Sequence, residues 1–274
     1  MRTDILLILF LFFSLCLKAQ YDEVGITIGS SYYIGDINPT QHYGKNTKLA
    51  FGVVYRKNLT TRHVIKCNAL YIQLESYDSN SGVKELVNRN LSFRNNIVEF
   101  STQLEINFFD YEIGNSERNF SPYLFGGLAI FKMNPQASFN GNWIDLQTIG
   151  TEGQGIDGYG DPYKLTQVAI PFGVGVKLNL AGDFAVSAEW GIRKTYTDYI
   201  DDVSKNYVDF ETIKEESGPL AASLSDKRLV KDFQSTESGD LQRGNDQYRD
   251  WYIYSGVMIT YRIGHKKIKC PSAY

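Results

Sequence analysis

The sequence predicts an all-β protein, an antiparallel transmembrane β-barrel of about eight strands with long outer loops. Three observations predict it. Apolar residues recur with a period of two in segment after segment. The connections between those segments alternate long and short along the chain. The composition is rich in Tyr (19), Phe (16) and Gly (24) and poor in Pro (7) over 274 residues.

The chain opens with Arg2 and an apolar run from Ile5 to Leu17 that is interrupted by Ser14. Leu17 and Ala19 stand at the −3 and −1 positions before Gln20, so residues 1–19 read as a cleaved secretory signal peptide. The run is short of the ~20 residues that a spanning helix needs. Lipidation at Cys16 is the other reading, with the bulky Leu15 where a small residue is usual. The mature chain is then 20–274, and no later stretch has the apolar length of a membrane helix.

The first two strands are expected at about 22–34 and 48–57, the second with Leu49, Phe51, Val53 and Tyr55 opposite Lys48, Gly52 and Arg56. The third, about 62–77, is mixed, since Val64, Leu70, Ile72 and Leu74 share a face with Lys66. The fourth, 93–109, alternates best: Val98, Phe100, Thr102, Leu104, Ile106 and Phe108 oppose Glu99, Ser101, Gln103, Glu105 and Asn107. The fifth, about 121–132, is apolar on both sides, and its register stays open. The sixth (166–180), the seventh (183–195, with Trp190 opposite Glu189 and Arg193) and the last alternate again. In the last, Trp251, Ile253, Val257, Ile259 and Tyr261 oppose Tyr252, Gly256, Thr260 and Arg262.

Short turns fall at 58–61 and near Ala181 and Gly182, with large loops at 133–165 and 197–249 and links at 35–47, 78–92 and 110–120. Bacterial outer-membrane barrels alternate in this way, and an even strand count puts both termini in the periplasm. From Trp251 to Tyr261 the apolar face spans roughly 25 Å at ~3.3 Å per residue and ~40° tilt, the height of a membrane band with an aromatic ring at each edge. A soluble lipocalin-like barrel, with the apolar face turned inward around a ligand, is the competing fold.

The net charge of −3 offers no basic field for nucleic acid. Cys67 and Cys270 make neither a disulfide framework nor a zinc site. No phosphate loop, zinc-protease or nucleophile-elbow pattern occurs, so no catalytic, cofactor-binding or metal-ligating residue is assigned. His42, His63 and His265 fall in an outer loop, near a periplasmic turn and in the tail, where they do not converge. The segment from Gly153 to Asp161 lacks the ligand spacing of a calcium loop and reads as a surface loop. Arg56, Glu99, Glu105, Lys177, Glu189, Arg193 and Arg262 are expected inside, as a plug of ion pairs in a lumen just wide enough for side chains; a conducting channel is the alternative. The acidic 197–249 link, with a short helix expected from Pro219, is either a lid over the mouth or a mobile loop.

Three segments carry a family resemblance: YYIGDINP at 32–39, TDYIDDVS at 197–204, and Arg243 and Gly244 followed by Asp250, Trp251 and Tyr252. Together with the Gln20 start and the Cys270 tail, this combination resembles the PorG-like outer-membrane barrels of Bacteroidetes. The resemblance implies an accessory of the type IX secretion system in the outer membrane, associated with the periplasmic ring built by PorK and PorN. It implies no catalytic residues, and the alternative is a stand-alone barrel that binds through its loops, or a lipid-modifying barrel enzyme.

The periplasmic turns are too small for a contact of ~800 Å² per partner. That leaves the tail 264–274, with His265, Lys266, Lys267 and Lys269, and the 110–120 link, with Glu112, Glu117 and Arg118 beside Asp110, as the expected partner contacts. The tail lysines either steer an acidic partner or border anionic lipid.

Overall fold

The computed structural model describes residues 21–230 and 241–264. The expected signal peptide at 1–19, Cys16, and the tail residues His265, Lys266, Lys267, Lys269 and Cys270 lie outside the described residues.

The barrel strands are β1 (Tyr21–Ile34), β2 (Lys48–Asn58), β3 (His63–Tyr77), β4 (Ser92–Asn107), β5 (Phe120–Lys132), β8 (Thr166–Asn179), β9 (Phe184–Thr195) and β10 (Trp251–Ile263). Each pairs antiparallel with its neighbour, and β1 pairs with β10 from Asp22↔Ile263 to Ile34↔Trp251. That last pairing closes the cycle and leaves no barrel edge, as a lipid environment requires. A short hairpin, β6 (Pro135–Phe139) and β7 (Asn142–Asp145), extends the wall above β4 through Arg94↔Gln136. Four short helices sit in the long loops: α1 (Lys84–Arg89), α2 (Leu146–Ile149), α3 (Phe210–Glu216) and α4 (Pro219–Ser225). No helix among the described residues is long and apolar enough to cross a membrane.

The direction of the alternation decides between the two barrel types. On β4, Phe100, Leu104 and Ile106 are 46–58% exposed, while Glu99 and Glu105 are fully buried. The apolar face points outward and the charged face inward, the reverse of a lipocalin-like barrel. The outer apolar belt runs on β4 from Val98 to Ile106, and above it Arg94 and Asn96 take over the outward positions. Aromatic contacts mark its edges, Phe172 with Trp251 at one and Phe184 with Tyr261 at the other.

The mixed patterns now have a cause. On β3 the inward series is Val64, Lys66, Asn68, Leu70, Ile72, Leu74 and Ser76, polar low in the barrel and apolar high. On β5 the outward series includes Leu124, Leu128 and Ile130, while Tyr123, Phe125, Ala129 and Phe131 fill the lumen. Both faces of β5 are apolar because one meets lipid and the other meets aromatic packing.

Two long loops carry more structure than expected. The 133–165 loop holds the β6–β7 hairpin and α2, because Asn140 and Gly141, both at positive φ, form a tight turn between two short extended runs. The 197–249 loop begins as a lid: Ile200, Asp201, Asp202 and Val203 are buried over the mouth. The helix expected from Pro219 runs to Ser225, and α3 precedes it, started by Asp209, whose side chain accepts from the Thr212 amide.

Candidate functional site

The interior is layered. At the short-turn end, the link after β4 folds back into the mouth and buries Tyr111 and Ile113 against Tyr21 and Ala185. The Arg262 guanidinium lies over the Tyr21 ring and donates to the Ile113 carbonyl at 2.6 Å. Asn179 ties the same link down through the Glu112 and Asn115 carbonyls. The link is therefore part buried plug and part outer surface. Its apolar side chains Tyr111 and Ile113 leave water by entering the barrel; of the three link residues expected to contact a partner, Glu112 is half-buried and Glu117 and Arg118 are exposed.

Above this plug is an ionic layer centred on Glu105. It receives Arg56 at 3.1 Å, Lys66 at 3.2 Å and Lys177 at 2.5 Å. Lys66 also contacts Glu189, which accepts from the Tyr123 hydroxyl at 3.2 Å. Arg56 reaches Glu23 at 3.6 Å and the Ser187 hydroxyl at 3.1 Å. The expected inward charges are all found inside, joined by Lys66 and Glu23. The aromatic rings of this layer fit because small residues face them: a Cβ on Gly175 would lie 2.3 Å from Tyr123 Cζ, and one on Gly191 2.6 Å from Phe125 Cζ.

Higher up, Glu99 accepts from Arg193 at 3.3 Å and from the Tyr252 hydroxyl at 2.8 Å. Around this pair an apolar layer of Leu70, Ile72, Phe93, Ile97, Phe131 and Tyr252 continues into the loops. The lumen is therefore filled along its length by plug, ion pairs and aromatic core.

The cap over the long-loop end is a second polar network. Tyr33 Oη lies 2.5 Å from Asp201 Oδ2 and 2.8 Å from Asp250 Oδ1. Asp250 also accepts the Ile200 amide, and Asp201 the Val203 amide. Arg243 is buried and donates to Glu152 Oε1 at 2.8 Å and to the Asp202 carbonyl at 2.6 Å. Arg89 grips Asp78 with two bonds of 2.8 and 2.7 Å and donates to the Arg243 carbonyl at 2.7 Å. Burial raises Asp201 and Asp250 well above the carboxylate range, with the charge of Asp250 adding to Asp201 and that of Asp198 adding to Asp250. Burial likewise lifts Asp36 and Asp202 to about 6 and Asp198 to about 7.

The three segments that carry the resemblance converge here, with Tyr33 from the first, Asp201 and Asp202 from the second, and Arg243 and Asp250 from the third. Arg89, Asp78 and Glu152 complete the network without a sequence signal. Glu152 precedes the glycine-rich segment read as a surface loop, yet it is 2% exposed and accepts the Ser204 and Lys205 amides. No three metal-binding side chains cluster among the described residues. His42 bonds Tyr32 at one end of the barrel and His63 bonds Thr60 at the other.

A closed eight-stranded barrel with a lipid-compatible outer wall and a polar, filled interior is a membrane-spanning barrel of the outer-membrane type. Within that class the chain belongs to the family described as Domain of unknown function (DUF6089), which matches residues 2–218. No curated protein sequence matches it.

Among solved structures it is similar in fold to the N-terminal β-barrel domain of Pseudomonas aeruginosa OprF, with 11% identity, 89% of this chain and 100% of that chain covered, and a TM-score of 0.38. Neisserial surface protein A is similar at 6% identity, 90% and 99% coverage and a TM-score of 0.44. Ail of Yersinia pestis, in complex with the heparin analogue sucrose octasulfate, is similar at 11% identity, 89% and 99% coverage and a TM-score of 0.39.

Proposed function

We propose that the protein is a non-enzymatic, non-conducting barrel that serves the type IX secretion system as an accessory and docks on a periplasmic ring of proteins resembling PorK and PorN. The filled lumen carries this reading. With Tyr111 and Ile113 in one mouth, Glu105 holding three cations in the middle and the Tyr33 cap over the other mouth, the barrel gives solute no path. Its contribution is then made by its surfaces. The meeting of the three resembling segments in one cap supports the same reading. On the short-turn side Glu117 and Arg118 are exposed on the link that supplies the plug residues Tyr111 and Ile113, and β10 ends at Ile263, the partner of Asp22. The basic tail residues His265, Lys266, Lys267 and Lys269 and the link residues Glu112, Glu117 and Arg118 form the proposed contact.

Loss of the protein is expected to block export of many cargo proteins at once, and removal of 265–274 to weaken co-purification of the ring while the barrel stays heat-modifiable on gels. Export left intact after deletion of the protein overturns the secretion role. Wild-type recovery of the ring by a truncated, Glu117→Lys, Arg118→Glu protein, at low and high salt, overturns the docking site. The second reading, a stand-alone barrel that binds through its loops, is favoured by a cavity of about 1020 Å³ among them. A lipid-modifying activity would instead appear as altered outer-leaflet lipid with export intact.

A further inference from the structure

The outer wall of the barrel is divided by charge. On β4, β5, β8 and β9 the outward positions hold no Asp or Glu, and their charged residues are Arg94, Lys132 and Lys194. All three stand at the long-loop ends of their strands. Lys164 is exposed and precedes Thr166, the first residue of β8, by two positions, which keeps it on the outward side.

Lys132 pairs with Thr166 in the β5–β8 register, and the Met133 amide extends that pairing to the Leu165 carbonyl. Lys132 and Lys164 are therefore diagonal neighbours, whose backbone positions lie ~7–8 Å apart. Neither side chain makes an ion pair or hydrogen bond among the described residues. In the loop above, Asp145 is engaged by Asn134 and Gln136, and the exposed Asp157 and Asp161 form no ion pair with either lysine. Like charges held this close repel unless an anion stands between them.

The flanking cations are held at the same edge by aromatic rings. Arg94 lies 3.8 Å over the Trp143 ring and donates through Nε to Gln136 at 2.8 Å. Its partner across the β3–β4 register, Glu75, already accepts Lys48 at 2.8 Å and the Tyr77 hydroxyl. Lys194 Nζ lies 5.6 Å over Trp251. Below this edge Phe100, Ile130 and Val168 are exposed outward in the apolar belt. The lysine stems thus rest on wall that faces acyl chains, and their ammonium heads reach the level of lipid headgroups.

We propose that Lys132 and Lys164, flanked by Arg94, bind the phosphate monoester of an anionic lipid in the leaflet at the long-loop side, with its acyl chains against Phe100, Ile130 and Val168. Two uncompensated ammonium groups match the charge of a phosphate monoester, about −1.5 to −2 near neutral pH, better than the single charge of a diester. Their place at the end of the apolar belt selects a lipid as the bearer of that phosphate. The inference does not depend on the secretion role, and its test does not involve the ring.

The full-length protein in detergent is offered phosphatidic acid, phosphatidylglycerol or phosphatidylcholine, and bound lipid is counted by native mass spectrometry. Retention is expected to fall in that order and to withstand excess inorganic phosphate. A Lys132→Gln, Lys164→Gln double variant is expected to lower retention of phosphatidic acid about tenfold, the loss of charge-assisted hydrogen bonds to one phosphate. Lys132→Arg, Lys164→Arg should keep it. Lys57→Gln, an outward cation at the short-turn end of β2, should leave it unchanged. Heat-modifiable migration should persist in all three variants, since these side chains carry no contact of the fold.

Equal retention of phosphatidic acid and phosphatidylcholine overturns the proposal, as does wild-type retention by the double Gln variant. An equal loss in Lys57→Gln would show a general effect of net charge and overturns it too. Displacement by inorganic phosphate alone assigns the lysines to a soluble phosphate compound and rules out the lipid.

Discussion

Tyr33 and Asp250 are 217 residues apart in the chain and share a 2.8 Å hydrogen bond in the cap. The same phenol lies 2.5 Å from Asp201. A phenol has one proton to give, so it donates to one carboxylate only, and the second carboxyl approaches it by donating a proton of its own. Two buried acids on one hydroxyl therefore retain a proton that each would lose in water, the arrangement in which like charges cannot both ionise.

A pH dependence of the cap follows from this retained proton. The folded-state affinities of Asp201 and Asp250 for protons are raised, and Asp36 and Asp202 are lifted to about 6. The closed cap binds more protons than the opened loops, so its stability is fully present below the ordinary carboxylate range and declines as pH rises through about 6. Arg89 and Arg243 face the same acids and temper the loss without reversing it. Limited proteolysis of the long loops in proteoliposomes should be slower at pH 5 than at pH 8. Asp250→Asn should flatten the difference, and faster cleavage at the acidic pH would count against the shared proton.

Glu105 is the anion shared by Arg56, Lys66 and Lys177. Its removal leaves three buried cations with less compensation, and Glu105→Ala should cost about 3 kcal/mol or more. Urea unfolding in lipid vesicles, followed by loss of heat-modifiable migration, measures it. A midpoint equal to wild type would mean that lumen water, rather than Glu105, carries those charges.

Gly175 gives Tyr123 the space to reach Glu189. A methyl group there would sit 2.3 Å from a ring carbon. Gly175→Ala should destabilise by about 1–3 kcal/mol through overpacking. A Gly175→Ala, Tyr123→Leu double variant should cost less than the sum of the two single changes, since both act on one contact.

The filled lumen predicts electrical silence. Purified protein in planar bilayers should show no porin-like steps. Replacing Tyr111 and Ile113 with Gly should leave it silent, because the Glu105 layer lies above the plug. Steady conductance in the wild-type protein would contradict a sealed barrel.

By itself, the sequence determined the strand positions, the antiparallel topology and the set of charges that share one face of the strands. Residues on a strand alternate sides, so Glu99, Glu105, Glu189 and Arg193 were legible as one face from spacing alone, whichever way that face pointed. The inward set missed Lys66 as a charge partner because its face on β3 turns apolar at Leu70, and a pattern shared by two layers has no single reading. The tertiary structure decided the rest. Barrel closure turned the apolar face outward, the 110–120 link folded Tyr111 and Ile113 inward, and three loops distant in sequence brought Arg89, Glu152 and Arg243 together. Such contacts follow from where the ends of paired strands place their loops in space, and no local period encodes that distance.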